Sequence, residues 1–404
     1  MRVYTNIKKL YTLKGGSKIK EALRNVEVLD DAWLAVEDEK IVGYGEGDHP
    51  YNKAEIIDMK GRVIIPGLID AHSHWIFAGD RSNEYADKIR GISYLDILKK
   101  GGGILNTVKS TRRASKQELF DSAKLSLDKA LSRGVTCLEV KSGYGLDKET
   151  EIKQLEVMKE LNEAQPIDLI GTYLGAHALP PEFSAKEDYL KYCEQEVFPL
   201  VKPLAEFCDI FLDEGVFDYQ EASGYLKKAK EYGFKIKMHI DEITNLMGSE
   251  LAAEYQAVSV EHCMVTTPDQ IKLLASAQIP IVLLPMTSFN LNKAYAAARL
   301  MRDTGAIIAL GSDYNPGSCP CDDYLLTMRV ASRVYGLLPE EILTMSTINA
   351  AKALDRDKII GSLEVGKRAD FVVLDVADFN DVIARMDNEP VKEVYCKGRR
   401  VYSC

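Results

Sequence analysis

The feature that most constrains this chain is the alternation of short apolar segments with helical patterns through its middle. Eight apolar segments follow one another, and they are RVIIPGLIDAH, VTCLEVKSG, DLIGTYLGAH, CDIFLDEG, KIKMHIDE, AVSVEHC, IPIVLLP and IIALGSD. One helical pattern between them begins at Ser115, has Glu118 three residues later and ends at Gly134, as a capped helix does. Nearly continuous apolar strands that alternate with helices are typical of a parallel sheet. Eight such units predict an α/β fold with a TIM-type (β/α)₈ barrel.

The two ends of the chain contain short β-like segments without helical patterns between them. AEIIDMKGRVIIPG suggests a strand pair, and Lys397-Gly398 marks a turn between the last two strands. We expect residues 1–65 and 360–404 to pair into one small composite β-sandwich domain, with residues 66–359 forming the barrel. A chain of 404 residues fits this division, because such barrels run to about 250 residues.

Composition excludes several kinds of partner. The net charge of −10 argues against a nucleic-acid surface, which needs clustered Lys and Arg. Apolar runs stay far below the roughly 20 residues that span a bilayer, and the N-terminal segment is interrupted by charges where a signal peptide is apolar. The eight cysteines form no CxxC pair, which is typical of reduced thiols. We therefore expect a cytoplasmic protein with no nucleic-acid or membrane partner.

Chemically active side chains collect at the ends of the apolar segments. Five of the six histidines lie there, with an aspartate ending the eighth segment: His72, His74, His177, His239, His262 and Asp313. The sixth, His49, lies in an ordinary turn. In a parallel barrel the carboxyl ends of all strands meet on one face, where such enzymes have their active sites. The sequence therefore predicts one site that gathers these side chains.

The spacing of His72 and His74 favours a metal. Side chains at positions i and i+2 of a strand share a face, so both imidazoles can bind one cation. His239 and Asp313 would complete a set of three imidazoles and one carboxylate, which suits one divalent metal, Zn(II) or Fe(II), with room for water. The metal would lower the pKa of that water toward ~7 and generate a hydroxide nucleophile. This pattern predicts a metal-dependent hydrolase.

Longer motifs resemble a known family. PGLIDAHSH, SDYNPGS and TINAAKAL with GSLEVGKRADFVVLD resemble the amidohydrolase superfamily. Within it, FAGDRSNEY, GGGILNTV, VKSGYGL, GAHALPPE and HIDEITNLMG are similar to the imidazolonepropionase family, in order along nearly the whole chain. The resemblance implies hydrolysis of the ring amide C–N bond of 4-imidazolone-5-propanoate to N-formimidoyl-L-glutamate, a step of histidine degradation.

The resemblance also implies roles for individual residues. The metal ligands fall on His72, His74, His239 and Asp313, the set that the spacing favours. Catalytic roles fall on Glu242, near the attacking water, on His262 and on Asp313. Substrate-contacting positions fall on Arg81, Tyr94, Tyr144, His177, Glu242, Asn315, Gly317 and Ser318, with Arg81 as the carboxylate-binding group. Each has a structural alternative: Arg81 could pair with Glu84, Tyr94 and Tyr144 could pack, and Glu242 could pair with a lysine.

Two positions depart from the family pattern. After Pro285 this chain has Met286 where the family usually has Gly, and Asn290 where it has Tyr. These residues follow the seventh strand, so they leave open a related deaminase or cyclic amidohydrolase acting on another small heterocycle. A catalytically inactive homologue is a further alternative, although the complete ligand set argues against it. The fourth strand has no lysine that could bridge two metals, so one metal is expected. We expect a homodimer that acts on a small molecule.

Overall fold

The computed structural model describes residues 1–90, 92 and 102–404. Its strands form a seven-stranded sheet from the chain ends and an eight-stranded parallel sheet from the middle. The strands of the first sheet are β1 Arg2–Tyr11, β2 Val28–Glu37, β3 Lys40–Glu46, β4 Glu55–Pro66, β13 Phe371–Leu374, β14 Val391–Cys396 and β15 Arg399–Ser403. Those of the second are β5 Leu68–Asp70, β6 Val135–Lys141, β7 Asp168–Ala176, β8 Phe207–Leu212, β9 Lys235–Ile240, β10 Ser259–His262, β11 Ile281–Leu283 and β12 Ile308–Leu310.

The eight-stranded sheet is a barrel. Each strand from β5 to β12 pairs in parallel with the next one along the chain. Backbone hydrogen bonds from Ala71 N to Leu310 O (3.4 Å) and from Asp313 N to His72 O (2.9 Å) join the last strand to the first. All carboxyl ends therefore open on one face, as the alternation of strands and helices predicts.

Helices follow the barrel strands and cover their outer faces. Their bounds are α1 Tyr85–Ile89, α2 Ile104–Arg113, α3 Lys116–Ser132, α4 Lys148–Ala164, α5 Lys186–Tyr192, α6 Phe198–Val201, α7 Tyr219–Glu231, α8 Gly248–Glu254, α9 Pro268–Ser276, α10 Pro285–Leu291, α11 Ala298–Thr304, α12 Tyr324–Tyr335, α13 Pro339–Met345, α14 Ile348–Ala353 and α15 Asn380–Ala384. The N-terminus of α3 is the predicted one, because the Ser115 side chain accepts from Glu118 N and Glu118 reaches back to Ser115 N. No helix in the described part of the chain is both long and apolar enough to cross a bilayer.

The chain ends meet in the seven-stranded sheet, whose order is β15-β14-β13-β4-β1-β2-β3. The contact between the ends is the antiparallel pair β13–β4, with Phe371 opposite Pro66 and Leu374 opposite Val63. Only β1 and β4 run parallel. Apolar side chains from both ends form one core, in which Tyr4 contacts the rings of Phe371 and Tyr395. The prediction of a barrel with a smaller β domain from both ends is confirmed, while the boundaries after residues 65 and 359 remain predictions.

Two details of strand assignment were wrong. RVIIPGLIDAH is not one barrel strand, because Arg62–Pro66 belongs to β4 and only Leu68–Asp70 enters the barrel. AEIIDMKGRVIIPG is not a strand pair either: it is the single strand β4, with Lys60 and Gly61 at positive φ (56° and 69°). Both halves of β4 pair in parallel with β1, and the register shifts between them. The Lys-Gly step is therefore a bulge in one strand and not a reversal of the chain.

Candidate metal centre and active site

The first and eighth strands bring three predicted ligands together. His72 and His74 follow β5, and Asp313 follows β12. Asp313 Oδ1 lies 3.5 Å from His72 Nε2 and 3.6 Å from His74 Nε2. One ligand atom from each of the three lies within 4.8 Å of the others, and all three side chains are buried. The spacing argument for this part of the ligand set therefore agrees with the geometry.

Asp70, which sequence reasoning missed, fastens these two strand ends to each other. Its carboxylate accepts from Ser312 N (2.8 Å), from Ser312 Oγ (2.5 Å) and from His72 N (3.4 Å). Burial raises the pKa of Asp70 to about 7, although these hydrogen bonds oppose the shift. The signal in the sequence was a single acid inside an apolar strand, two residues before His72.

The fourth predicted ligand, His239, lies at the end of β9. Its ring centroid is 4.6 Å from that of His72 and 5.8 Å from that of His74. Burial lowers the pKa of His239 to about 3 and those of His72 and His74 well below the ordinary value. All three imidazoles are therefore neutral at neutral pH, which is the state that binds a metal.

The donor set fits a divalent cation. Among the described residues, both ring nitrogens of His72 and Nδ1 of His74 are buried without a hydrogen-bond partner. Buried polar nitrogens without partners cost free energy, and a cation among them would remove that cost. Three imidazoles and one carboxylate are ligands that Zn(II) and Fe(II) accept. These residues form a site for a divalent metal.

Beside the metal ligands, His262 faces Glu242. His262 Nε2 lies 3.6 Å from Glu242 Oε2, and the Glu242 side chain is 18% exposed. Burial, helped by Asp213, raises the pKa of Glu242 to about 7. No lysine contact to Glu242 occurs within the described residues, so the alternative of a lysine pair has no support there. A carboxyl with a pKa near 7 is suited to proton transfer at neutral pH.

The surroundings of Asp313 also shift its pKa. Burial raises the pKa of Asp313 to about 6, and His262 and the Thr287 hydroxyl, which donates to its Oδ2, oppose the shift. Its backbone has φ of 52°, and that of His262 has φ of 70°. Such conformations cost on the order of 1–3 kcal/mol and persist where the surrounding fold enforces them, often at functional sites.

The loop after β12 is built around Asn315. Its side-chain oxygen accepts from Gly317 N (2.8 Å) and Ser318 N (2.7 Å), and its amide donates to Asp313 O (2.6 Å) and Ser318 Oγ (2.8 Å). The Asn315 side chain thus fixes the conformation of the loop. Its predicted role in substrate binding would act through that conformation. Ser318 Oγ lies 3.5 Å from Asp313 Oδ2, which places the loop against the metal ligands.

Arg81 reaches this loop from the other side. A Cβ on Gly317 would lie 2.0 Å from Arg81 Nη1, so the guanidinium packs against the glycine and a larger residue there would displace it. Arg81 also pairs with Glu84, through Nε at 3.0 Å and Nη2 at 2.9 Å. Arg81 therefore does pair with Glu84, as the structural alternative predicted. However, the Arg81 side chain is only 9% exposed, so this is a fixed guanidinium at the loop and not a surface pair.

His177 and Tyr144 form an aromatic wall beside His74. The His177 ring stacks on that of His74 at 5.5 Å, and the Tyr144 ring lies 5.7 Å from His74 and 5.5 Å from His177. His177 Nδ1 is 3.0 Å from the Gly143 carbonyl oxygen, which only accepts, so Nδ1 carries the proton. Gly143 has φ of 100°, and a Cβ there would lie 2.9 Å from that ring nitrogen. Burial lowers the pKa of His177 to about 4.

Three other residues that were singled out in the sequence are Tyr94, Met286 and Asn290. Tyr94 lies outside the described residues, so its expected contact remains a prediction. Met286 packs in an apolar cluster with Cys319 and Val330 beneath the loop. Asn290 donates from Nδ2 to Ser318 O (2.8 Å), so it supports the same loop. The two departures from the family pattern thus have partners within the protein.

A layer of charged side chains lies below the histidines, inside the barrel, and sequence reasoning missed it. Its members are Glu139, Lys141, Asp209, Lys237 and Glu261, all with fully buried side chains. Burial alone would lower the pKa of Lys141, but Asp209 and Glu139 hold that pKa well above its ordinary value. The signal was present: Glu139 with Lys141, and Lys237 with His239, are spaced two apart in otherwise apolar strands, so each pair shares a face.

Comparison with known proteins shows the family of this chain. A model of the amidohydrolase family matches residues 63–401. The imidazolonepropionase of Alkaliphilus metalliredigens is 44% identical and aligns over 98% of this chain and 96% of its own. The imidazolonepropionase of Fusobacterium nucleatum is 45% identical and aligns over 99% of this chain and 98% of its own. Among solved structures, Escherichia coli guanine deaminase (TM-score 0.74, 16% identity, 100% of both chains) shares the fold. So does a zinc-bound adenosine deaminase of Xanthomonas campestris (TM-score 0.74, 16% identity, 98% and 92%). The chain therefore belongs to the amidohydrolase family and, within it, to the imidazolonepropionases.

Proposed function

We propose that the protein hydrolyses the ring amide C–N bond of 4-imidazolone-5-propanoate and releases N-formimidoyl-L-glutamate. The near full-length similarity to two imidazolonepropionases carries this proposal. The alternative of a deaminase acting on a neutral heterocycle is not favoured, because the similarity to the two deaminases, at 16% identity, concerns the fold alone. Moreover, Met286 and Asn290, which left that alternative open, pack against or hydrogen-bond the loop after β12.

Recognition of the propanoate tail falls to Arg81. Its guanidinium is fixed by Glu84 and lies against Gly317, beside the loop that adjoins Asp313. A planar guanidinium can give a carboxylate two parallel hydrogen bonds. His177 and Tyr144 are placed to contact the ring, and His177 has its unprotonated Nε2 available as an acceptor because Nδ1 faces Gly143 O. Tyr94 and Ser318 complete the proposed contacts.

The proposed chemistry uses Glu242, His262 and Asp313. A metal held by His72, His74, His239 and Asp313 would polarise the ring carbonyl and make a water strongly nucleophilic. Glu242 accepts a proton from the attacking water and returns it to the ring nitrogen as the C–N bond breaks, with Asp313 as the second group able to relay it. His262, neutral because burial lowers its pKa, donates a hydrogen bond to the developing oxyanion.

We further propose one zinc or iron ion per chain. Two groups of possible ligands among the described residues, His72–His74–Asp313 and His72–His239–His262, share His72, and the ammonium of Lys141 lies at Asp209 of the third group. The cytoplasmic location and the homodimer, both expected from the sequence, are part of the same proposal.

Turnover of synthetic 4-imidazolone-5-propanoate tests the function directly. The loss of the imidazolone absorbance, with N-formimidoyl-L-glutamate identified by mass spectrometry, is the expected result. The comparison substrate is the same ring with a neutral side chain of equal length. Faster hydrolysis or deamination of neutral heterocycles than of the propanoate would contradict the proposal.

A further inference from the structure

We propose that Lys141 and Asp209 are positioning residues, which hold His239 in the tautomer and orientation that bind the metal. The inference rests on the metal ligand set of the proposed function. It concerns the charged layer below the histidines, to which neither the family resemblance nor the sequence analysis assigns a role.

The Asp209 carboxylate holds His239 at two points. Asp209 Oδ2 lies 2.9 Å from His239 Nδ1, and Asp209 Oδ1 accepts from His239 N at 3.2 Å. An ionised carboxylate only accepts, so its closeness to Nδ1 favours the neutral tautomer that carries the proton there. That tautomer leaves the Nε2 lone pair of His239 for the metal, and the ring centroids of His72 and His74 lie 4.6 Å and 5.8 Å from that of His239. A carboxylate that fixes a metal-binding histidine in this way commonly raises metal affinity.

Asp209 in turn depends on Lys141. The Lys141 ammonium lies 2.6 Å from Asp209 Oδ2, 3.0 Å from Glu139 Oε1 and 4.0 Å from Glu261 Oε2. Asp209, His239 and Glu261 by themselves could hold a cation, since a ligand atom of each lies within 4.8 Å of the others. The Lys141 ammonium group, which is part of the protein chain, provides the positive charge at this position. Without it, Asp209 would be a buried carboxylate beside two others, with no counter-charge to hold it in place against His239.

Lys237 provides a matched control. It is as fully buried as Lys141 and belongs to the same charged layer. Its ammonium contacts Glu139 Oε2 (2.8 Å), Glu261 Oε1 (3.4 Å) and the Ala71 carbonyl (3.1 Å). It therefore tests what a buried lysine contributes to the layer without direct contact to Asp209.

Zinc affinity of the metal-free protein is the measurement. Wild type, Asp209→Asn, Lys141→Met and Lys237→Met are stripped with a chelator, and Zn(II) is titrated in competition with a chromophoric chelator. Asp209→Asn and Lys141→Met should each raise the Kd for zinc about 10–100-fold, the usual effect of removing a partner of a metal-binding histidine. Lys237→Met should keep the wild-type Kd. Cobalt(II) spectra should change in the first two variants only.

Circular dichroism of the metal-free variants establishes that each one folds. Asp209→Asn preserves the shape of the side chain, so it decides the question if Lys141→Met does not fold. A wild-type Kd in Asp209→Asn or in a folded Lys141→Met would overturn the proposal, as would an equal weakening in Lys237→Met. These results leave the proposed function standing. A wild-type protein that binds no zinc and no iron would instead contradict the metal set on which both proposals rest.

Discussion

At the scale of single residues, burial acts differently on the side chains proposed to hold a cation and on those proposed to move protons. Burial keeps His72, His74 and His239 neutral, whereas it raises the pKa of Glu242 to about 7. The loss of water around an ionisable group disfavours its charged form, so it lowers the pKa of a histidine and raises the pKa of a carboxyl. Glu242 is close enough to His262 for the two to act on one reacting group.

Glu242→Gln should lower kcat about 10²–10⁴-fold with little change in KM, because the amide cannot accept a proton. In the wild type, kcat should fall as the pH drops through about 7, since the Glu242 carboxyl is protonated below its raised pKa and no longer acts as a base. The variant should lack this acidic limb. A steady-state pH profile of both proteins is the check, and near-normal kcat in the variant would mean that Glu242 only packs.

Arg81→Ala should reduce kcat/KM for the propanoate about 10- to 150-fold, since a charge-assisted hydrogen bond contributes roughly 1.5–3 kcal/mol. Activity toward an analogue without the carboxylate should change little. Arg81→Lys should recover only part of the loss, because an ammonium group cannot form the forked pair. The exposed Arg113→Ala serves as the control. Equal effects of Arg81→Ala on both substrates would remove Arg81 from carboxylate recognition.

At the scale of elements, the loop after β12 is a small unit supported from below by α10. Asn290 on α10 holds the Ser318 carbonyl, and Met286 on the same helix packs against Cys319 and Val330. The replacement of a family glycine by Met286 is therefore a matter of packing under the loop. We therefore expect substrate choice to depend on the side chains on the other side of the loop, toward the proposed metal.

Met286→Ala should cost about 2–5 kcal/mol of stability, as truncation of a buried methionine does, and leave the preference for the propanoate unchanged. The half-exposed Met386→Ala should change stability by no more than about 0.5 kcal/mol. Thermal unfolding of both variants and their kcat/KM ratios for charged and neutral substrates give the answer. A shifted ratio in Met286→Ala would mean that this side chain reaches the substrate.

At the scale of the whole molecule, the proposed metal would join three distant parts of the barrel. Its proposed ligands follow β5, lie at the end of β9 and follow β12, so binding would be linked to the correct assembly of the barrel. At a free metal concentration 1,000 times the Kd, binding stabilises a folded protein by about 4 kcal/mol.

We therefore expect elemental analysis to give about one metal per chain, and metal removal to lower the unfolding temperature of the wild type. His72→Ala should bind no metal, lose activity and unfold at the temperature of the metal-free wild type. Two metals per active chain would contradict the single-ion site. An unfolding temperature that does not respond to metal removal would contradict the structural linkage.

The sequence by itself determined the kinds of elements and the chemistry at their ends. Strand and helix periodicity is local, so the barrel strands β6 to β12 and the capped helix after Ser115 could be predicted directly. Parallel strands must present their carboxyl ends on one face, so His72, His74, His239 and Asp313 could be grouped without coordinates.

Tertiary structure alone decided how side chains far apart in sequence meet. Which of two sheets takes each half of RVIIPGLIDAH depends on pairing with β1, β13 and β6, and pairing over long distances leaves no local signal. The place where the Met286 side chain packs depends on the loop that folds over α10. Likewise, Lys141 on β6 and Asp209 on β8 lie 68 residues apart, and β7 separates their strands. Their 2.6 Å contact exists only because the closed barrel turns alternate side chains inward, where charges without partners cannot remain.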